Sequence, residues 1–171
     1  LEHTRATDPS TKAAQTHEER LRECISAWIP PQAQLAGADL SELSLIFLEA
    51  PGIDLRGADL RDSDLGAARL PRAQLIKARL CRAKLHGCDL SAACLDQADA
   101  SDSQGPGVML TRASARDSIW VNAELPGASV SETDFSAADL RAARLAACKG
   151  SPILTDARLH GMTAVAATDW P

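Results

Sequence analysis

The side chains able to do chemistry are few and dispersed. Histidines stand at 3, 17, 86 and 160, and cysteines at 24, 81, 88, 94 and 148. The closest grouping is Cys81, His86 and Cys88, whose intervals match no zinc-binding spacing. No metal and no cofactor is therefore expected. The cysteine count is odd and no C-x-x-C pair occurs, which points to reduced thiols in a cytoplasmic chain rather than a disulfide framework. Serine, histidine and aspartate are present, but nothing in their spacing converges on a nucleophile and its base. Glycine-rich phosphate loops are absent. The sequence gives no reason to expect an enzyme.

The acidic residues are different, because they recur. Asp39, Asp59, Asp99 and Asp139 lie on one twenty-residue series, and Glu42, Asp62 and Asp102 on another. Arg79 and Arg82 interrupt the two series in the middle. A chain whose backbone repeats every twenty residues would gather all of these on one face. Six of them (Asp39, Glu42, Asp59, Asp62, Asp99 and Asp102) form the candidate partner face. The elements that would position them must therefore carry that period.

They carry a quarter of it. From Leu35 to Leu145, every fifth position is Leu at 16 of 23 sites, and Trp120, Val130 and Phe135 occupy three more. The exceptions are Ala50, Ala100, Gly105 and Ala115. Two residues earlier runs a second column, from 33 to 143, with 14 alanines. A period of five suits neither an α-helix nor a flat strand. It does suit a chain that turns a corner every five residues. Residues two apart in an extended segment share a face, so the Ala and Leu columns both point inward while the residue between them points out. Pro51, Pro71, Pro106 and Pro126 follow the Leu column by one, and glycines such as Gly52, Gly107 and Gly127 follow it by two. Pro then Gly suits the centre of a type II turn.

Units such as Ala38-Asp39-Leu40, Ala58-Asp59-Leu60 and Ala138-Asp139-Leu140 resemble the pentapeptide-repeat family, whose motif is A-(D/N)-L-x-x. The resemblance spans residues 33–148. It implies an all-β solenoid, a right-handed quadrilateral β-helix with four units per coil. At a strand spacing of about 4.8 Å, nearly six coils make a rod roughly 30 Å long. Each coil would bury its leucines only against its neighbours.

Flanking this rod, residues 1–16 read as a flexible segment and 17–31 as a capping helix. Thr16 and Glu19 form a capping box. Leu21, Cys24, Ile25, Trp28 and Ile29 make one apolar stripe, and Pro30-Pro31 end it. Residues 149–171 read as a degraded last coil and tail, since the frame slips by one after Leu145. Within the rod, Trp120 is too large for a Leu site. Ala100 would lie directly beneath it, with Gly105 and Ala115 at adjoining inward sites, as volume compensation. Gly105-Pro106-Gly107 is a candidate outward loop. Ile46 and Phe47 fall at outward positions and form a secondary candidate patch, unless the helix covers them.

Charge and length narrow the function. The 171 residues carry 23 acids and 18 bases, net −5, too acidic for the usual basic nucleic-acid binder. No apolar run reaches the roughly 20 residues of a membrane helix. Between Asp64 and Asp89 six basic residues occur without an acid: Arg69, Arg72, Lys77, Arg79, Arg82 and Lys84. They would belt one coil and pair with acids above and below, or else form a groove for an anionic partner. The expectation is a non-catalytic protein–protein interaction scaffold. The chain begins with Leu, which suggests a domain of a larger bacterial protein, such as a secretion-system component or effector. The family resemblance implies an alternative: a DNA mimic that binds and protects DNA gyrase.

Overall fold

The computed structural model of the chain describes residues 34–164. Gln34 pairs in parallel with Asp54, Asp39 with Asp59, Ser44 with Asp64 and Glu49 with Arg69, and the same twenty-residue step repeats down the chain. Five residues per side and twenty per turn make a four-sided coil. The first face starts at Gln34, the second at Asp39, the third at Ser44 and the fourth at Glu49.

One unit shows how the backbone is satisfied. The Asp59 N–H donates to Ala38 O in the coil before, and those of Leu60 and Asp62 donate to Arg79 O and Cys81 O in the coil after. The Ser63 N–H closes the corner onto Leu60 O. The fifth donor, Arg61 N–H at the first corner position, has no backbone acceptor. The Asp59 carboxylate accepts it at 3.2 Å. Asp39, Asp54, Asp64, Asp89, Asp99, Asp134 and Asp139 do the same at their own corners. Buried or half-buried amides need such partners. The four prolines solve the same problem differently: they occupy this corner position and have no N–H. The residues two before them are Glu49, Arg69, Gln104 and Glu124, none of them aspartate.

The corners turn through the left-handed region at their second residue. Gly52 has φ 71° and Gly107 φ 69°, as a type II turn requires, but so do many non-glycines, including Glu42 at 61° and Arg82 at 58°.

The interior is filled by the two columns read from the sequence. From Leu45 to Leu145 the described inward residues are buried, whereas Leu35 and Leu40 in the first described coil are only partly so. Trp120 is fully buried; its indole N–H donates to Ser118 Oγ at 2.8 Å and its ring meets Phe135 edge-on at 5.9 Å. Gly105 corrects the loop expectation. Gln104 holds its place in the ladder between Lys84 and Glu124, so the unit does not bulge. A Cβ on Gly105 would come within 2.9 Å of Leu125 Cδ2 and 3.3 Å of Leu85 Cβ. The space a side chain would need there is bounded by these two leucines of its own column and by Val108 Cγ1 at 3.3 Å.

The frame slip is where the sequence places it. Lys149 still pairs with Ser129, but Ile153 pairs with Asp134, nineteen residues back. The residue is lost beside Gly150, at φ 91°, where a Cβ would sit 2.7 Å from the Ser131 Cα. The expected helix within 17–31 lies outside the described residues. Among the described residues there is no helix, and none long and apolar enough to cross a membrane.

Candidate partner surface

The six candidate acids do share one side of the rod. Asp39, Asp59 and Asp99 project from the second face, while Glu42, Asp62 and Asp102 are corner residues at the edge between the second and third faces. Asp139 continues the first series. The corners also bring Arg61 and Arg141 onto this side, and the register slip brings Arg158 beside Asp139.

These arginines change the electrostatics. Arg61 grips Asp59 through Nε at 2.7 Å, and Arg79 reaches the same carboxylate from the next coil at 3.3 Å. The Asp59 pKa falls to about 2, first because of the Arg61 hydrogen bond. Arg82 binds Asp62 with two contacts, 2.7 and 2.6 Å, across one coil step. That hydrogen bonding holds the Asp62 carboxyl below its ordinary value. Arg141 makes a similar fork on Asp139. Asp39 and Asp99 each accept from a serine, Ser41 and Ser101, and Asp102 accepts from Asn122 Nδ2 at 3.1 Å. Seven acids on this side thus meet five arginines: Arg61, Arg79, Arg82, Arg141 and Arg158. The sequence reading weighed Arg79 and Arg82 alone. Arg61 and Arg141 sit at the first corner position, and only the corner geometry folds them back onto their own strand.

The basic belt pairs upward as one of its two readings expects. Arg69 meets Glu49 at 3.5 Å, Arg79 meets Asp59, Arg82 meets Asp62, and Lys84 meets Asp64 at 3.7 Å. Arg72 and Lys77 make no ion pair among the described residues.

The secondary patch is at the N-terminal end of the described rod. Phe47 is 70% exposed at a corner and Leu43, one face away, 41%. Ile46 is half-buried, lying over the Gly66 corner. Glu42 and this apolar group belong to the same coil, so the two candidate surfaces adjoin there.

Among the described residues no group of acids, histidines and cysteines is placed to hold a metal. The four thiols among the described residues are poorly disposed to react. Burial pushes Cys88 up to about 12 and Cys81 up to about 11, and it raises Cys94 and Cys148 as well.

The repeat defines a class of protein, and a family profile agrees. That for pentapeptide repeats matches eight copies over residues 33–74, 52–87, 63–102 and 109–146. The chain belongs to the pentapeptide-repeat family, and its four-sided coil is that family's right-handed quadrilateral β-helix. Solved structures similar to the chain include a trypsin-treated form of QnrB1, a plasmid-mediated fluoroquinolone resistance protein. It is 15% identical, with 75% of this chain and 68% of that chain covered and a TM-score of 0.49. HetL, involved in heterocyst differentiation regulation in the cyanobacterium Nostoc, is 27% identical over 80% of this chain and 74% of its own, with a TM-score of 0.29. Rfr23 from the cyanobacterium Cyanothece is 16% identical over 90% and 99%, with a TM-score of 0.36. No curated protein sequence matches the chain.

Proposed function

We propose that the rod is a non-catalytic scaffold that binds another protein through its outer surface. One observation carries this reading: the inward residues from Leu45 to Leu145 are packed to near-zero exposure, which leaves no interior space for a substrate. What varies from coil to coil is the outer skin, so selectivity belongs there. We place the partner at the second face and the adjoining Phe47 end, as a basic surface with an apolar edge. Asp39 and Glu42 carry no ion pair among the described residues, so that end of the face keeps its negative charge.

The gyrase-protecting alternative is weakened by the same geometry. A duplex mimic needs a continuous stripe of negative charge, and here arginines intervene at Arg61, Arg79, Arg82 and Arg141. A supercoiling assay with gyrase, with and without quinolone, tests it; we expect neither inhibition nor protection. The scaffold reading is tested by Glu42→Gln/Asp62→Asn/Asp102→Asn. Neutralisation is preferable to reversal, since a base at 62 would face Arg82 at close range. We expect unchanged folding and loss of binding to a basic partner surface. Unchanged binding would make the face a solvated surface and shift attention to Phe47→Ser.

A further inference from the structure

A different edge carries an unfilled position in the rod's ion-pair ladder. Corner residues one coil apart can pair directly when their charges are opposite: Arg82 forks onto Asp62, though not onto Asp102 on its other side, and Arg112 meets Glu132 through Nε at 3.0 Å. On the edge between the fourth and first faces, the corner series runs Gly52, Arg72, Ala92, Arg112, Glu132. The position between the two arginines, where an acid would complete a base–acid–base–acid ladder, holds Ala92. The short side chain leaves an open recess of about 450 Å³, with Arg72 and Arg112 in its lining. Two coil steps separate the arginine backbones by about 9.6 Å. That span brings an anion held over Ala92 within side-chain reach of both arginines, Arg112 by sharing or leaving its contact with Glu132.

The rest of the recess suits an oxyanion. Ser91 and Thr111 line it, and neither hydroxyl has a hydrogen-bond partner among the described residues. Pro51 and Pro71 wall the end towards the N-terminus and bring no acid. Arg72 makes no ion pair among the described residues, whereas its belt neighbours Arg69, Arg79, Arg82 and Lys84 do. We infer that the recess over Ala92 is a phosphate-binding site, formed by Arg72, Arg112, Ser91 and Thr111. Two arginines and two hydroxyls among the lining residues offer more donors than a carboxylate with two oxygens uses, which suits a tetrahedral group with several terminal oxygens. Arg72 supplies the unpaired positive charge, while Arg112 shares its guanidinium with Glu132. The group arrives either as free phosphate or as a phosphorylated side chain, since the recess opens to solvent and reads only the phosphoryl oxygens.

The test uses the whole chain at constant ionic strength. Inorganic phosphate and O-phosphoserine are titrated separately while the arginine Nε–H resonances are followed by NMR, with chloride as control. The inference expects saturable shifts at Arg72 and Arg112 with phosphate and none with chloride. Tighter binding of O-phosphoserine than of phosphate marks a phosphorylated side chain as the source, and the reverse order marks the free anion. Ala92→Glu supplies the missing acid from within; Glu42 and Glu132 already occupy equivalent left-handed corners at φ 61° and 57°. That variant should fold and should bind phosphate about tenfold or more weakly, since its own carboxylate takes the charged hydrogen bonds the anion would make. Arg72→Gln should weaken it similarly. Non-saturable shifts, equal shifts with chloride, or undiminished binding in folded Ala92→Glu would each overturn the site.

Discussion

At the scale of the residue, the motif aspartate and the corner proline answer one demand, an amide at the first corner position that the backbone ladder leaves over. The sequence shows both residue types but not their equivalence, because the orphan donor exists only once the other four N–H groups have been assigned. The small column poses a similar problem when it holds a hydroxyl. Ser63, Ser118 and Thr133 each donate to a carbonyl: Leu60 O, Ala115 O and Leu110 O. Ser103 Oγ is fully buried with no partner. Ser103→Ala should therefore be neutral or stabilise the rod by up to about 1–3 kcal/mol, the desolvation cost of an unmade hydrogen bond. Ser118→Ala should do the opposite, because it strands the Trp120 indole N–H as well. Chemical denaturation of both variants reads the difference, and a loss at Ser103→Ala would mean that its hydroxyl has a partner after all. The carboxylates add a pH dependence with a defined sign. The Asp59 carboxyl is depressed from 3.8 to about 2, so its stabilising effect is complete above its unfolded value and vanishes as pH falls through about 2. Asp54, Asp62 and Asp139 are lowered too. The rod's melting temperature should hold down to about pH 4 and fall from there to about pH 2, and Asp59→Asn should flatten part of that fall.

At the scale of the coil, packing is decided by columns twenty residues apart, and this much was legible from spacing alone. Leu80 and Leu85 are 1% and 0% exposed, so truncating either to Ala should cost about 2–5 kcal/mol in an equilibrium unfolding measurement. Losses under about 1 kcal/mol at both would contradict the assigned columns. The Trp120 pairing was legible for the same reason: Ala100 is one step away on the same face. Ala100→Leu should overpack by about 1–3 kcal/mol, and Trp120 fluorescence should be blue-shifted in the native protein. Gly105 was misread because Pro and Gly signal a turn equally well whether a corner is regular or bulged. Its place in the inward column was legible, but only the regular ladder and the close approach of Leu125 show that the unit stays in register with a leucine against it. The acidic face was half legible. Its aspartates follow from the motif and its period, but the period alone does not bring the arginine at the first corner position onto the face. Arg61 turns back because the corner places its side chain beside the carboxylate that already holds its amide.

At the scale of the whole molecule, a stack in which each coil touches only its neighbours should tolerate removal of a whole turn, provided the new neighbours fit. The described rod makes a sharp distinction between two such deletions. Removing residues 56–75 joins Leu55 to Ile76 at an equivalent corner and keeps every later residue on its original face. The new contacts across the junction pair Asp39 with Arg79 and Glu42 with Arg82, acid with base, and set only exposed Glu49 against Asp89. Trp120 keeps Ala100 beneath it. Removing residues 81–100 also takes out one turn and also keeps the faces, but it sets Leu80 in the place of Ala100 under Trp120. The indole and the leucine would then compete for one space, adding about 1–3 kcal/mol of strain to the loss of a coil. The first deletion should yield a cooperative rod with its Trp120 emission unchanged. The second should melt lower than the first, and Leu80→Ala in that background should recover most of the difference. Equal melting temperatures for the two deletions would show that the coils are interchangeable and that the large and small residues of the interior are not matched across the stack.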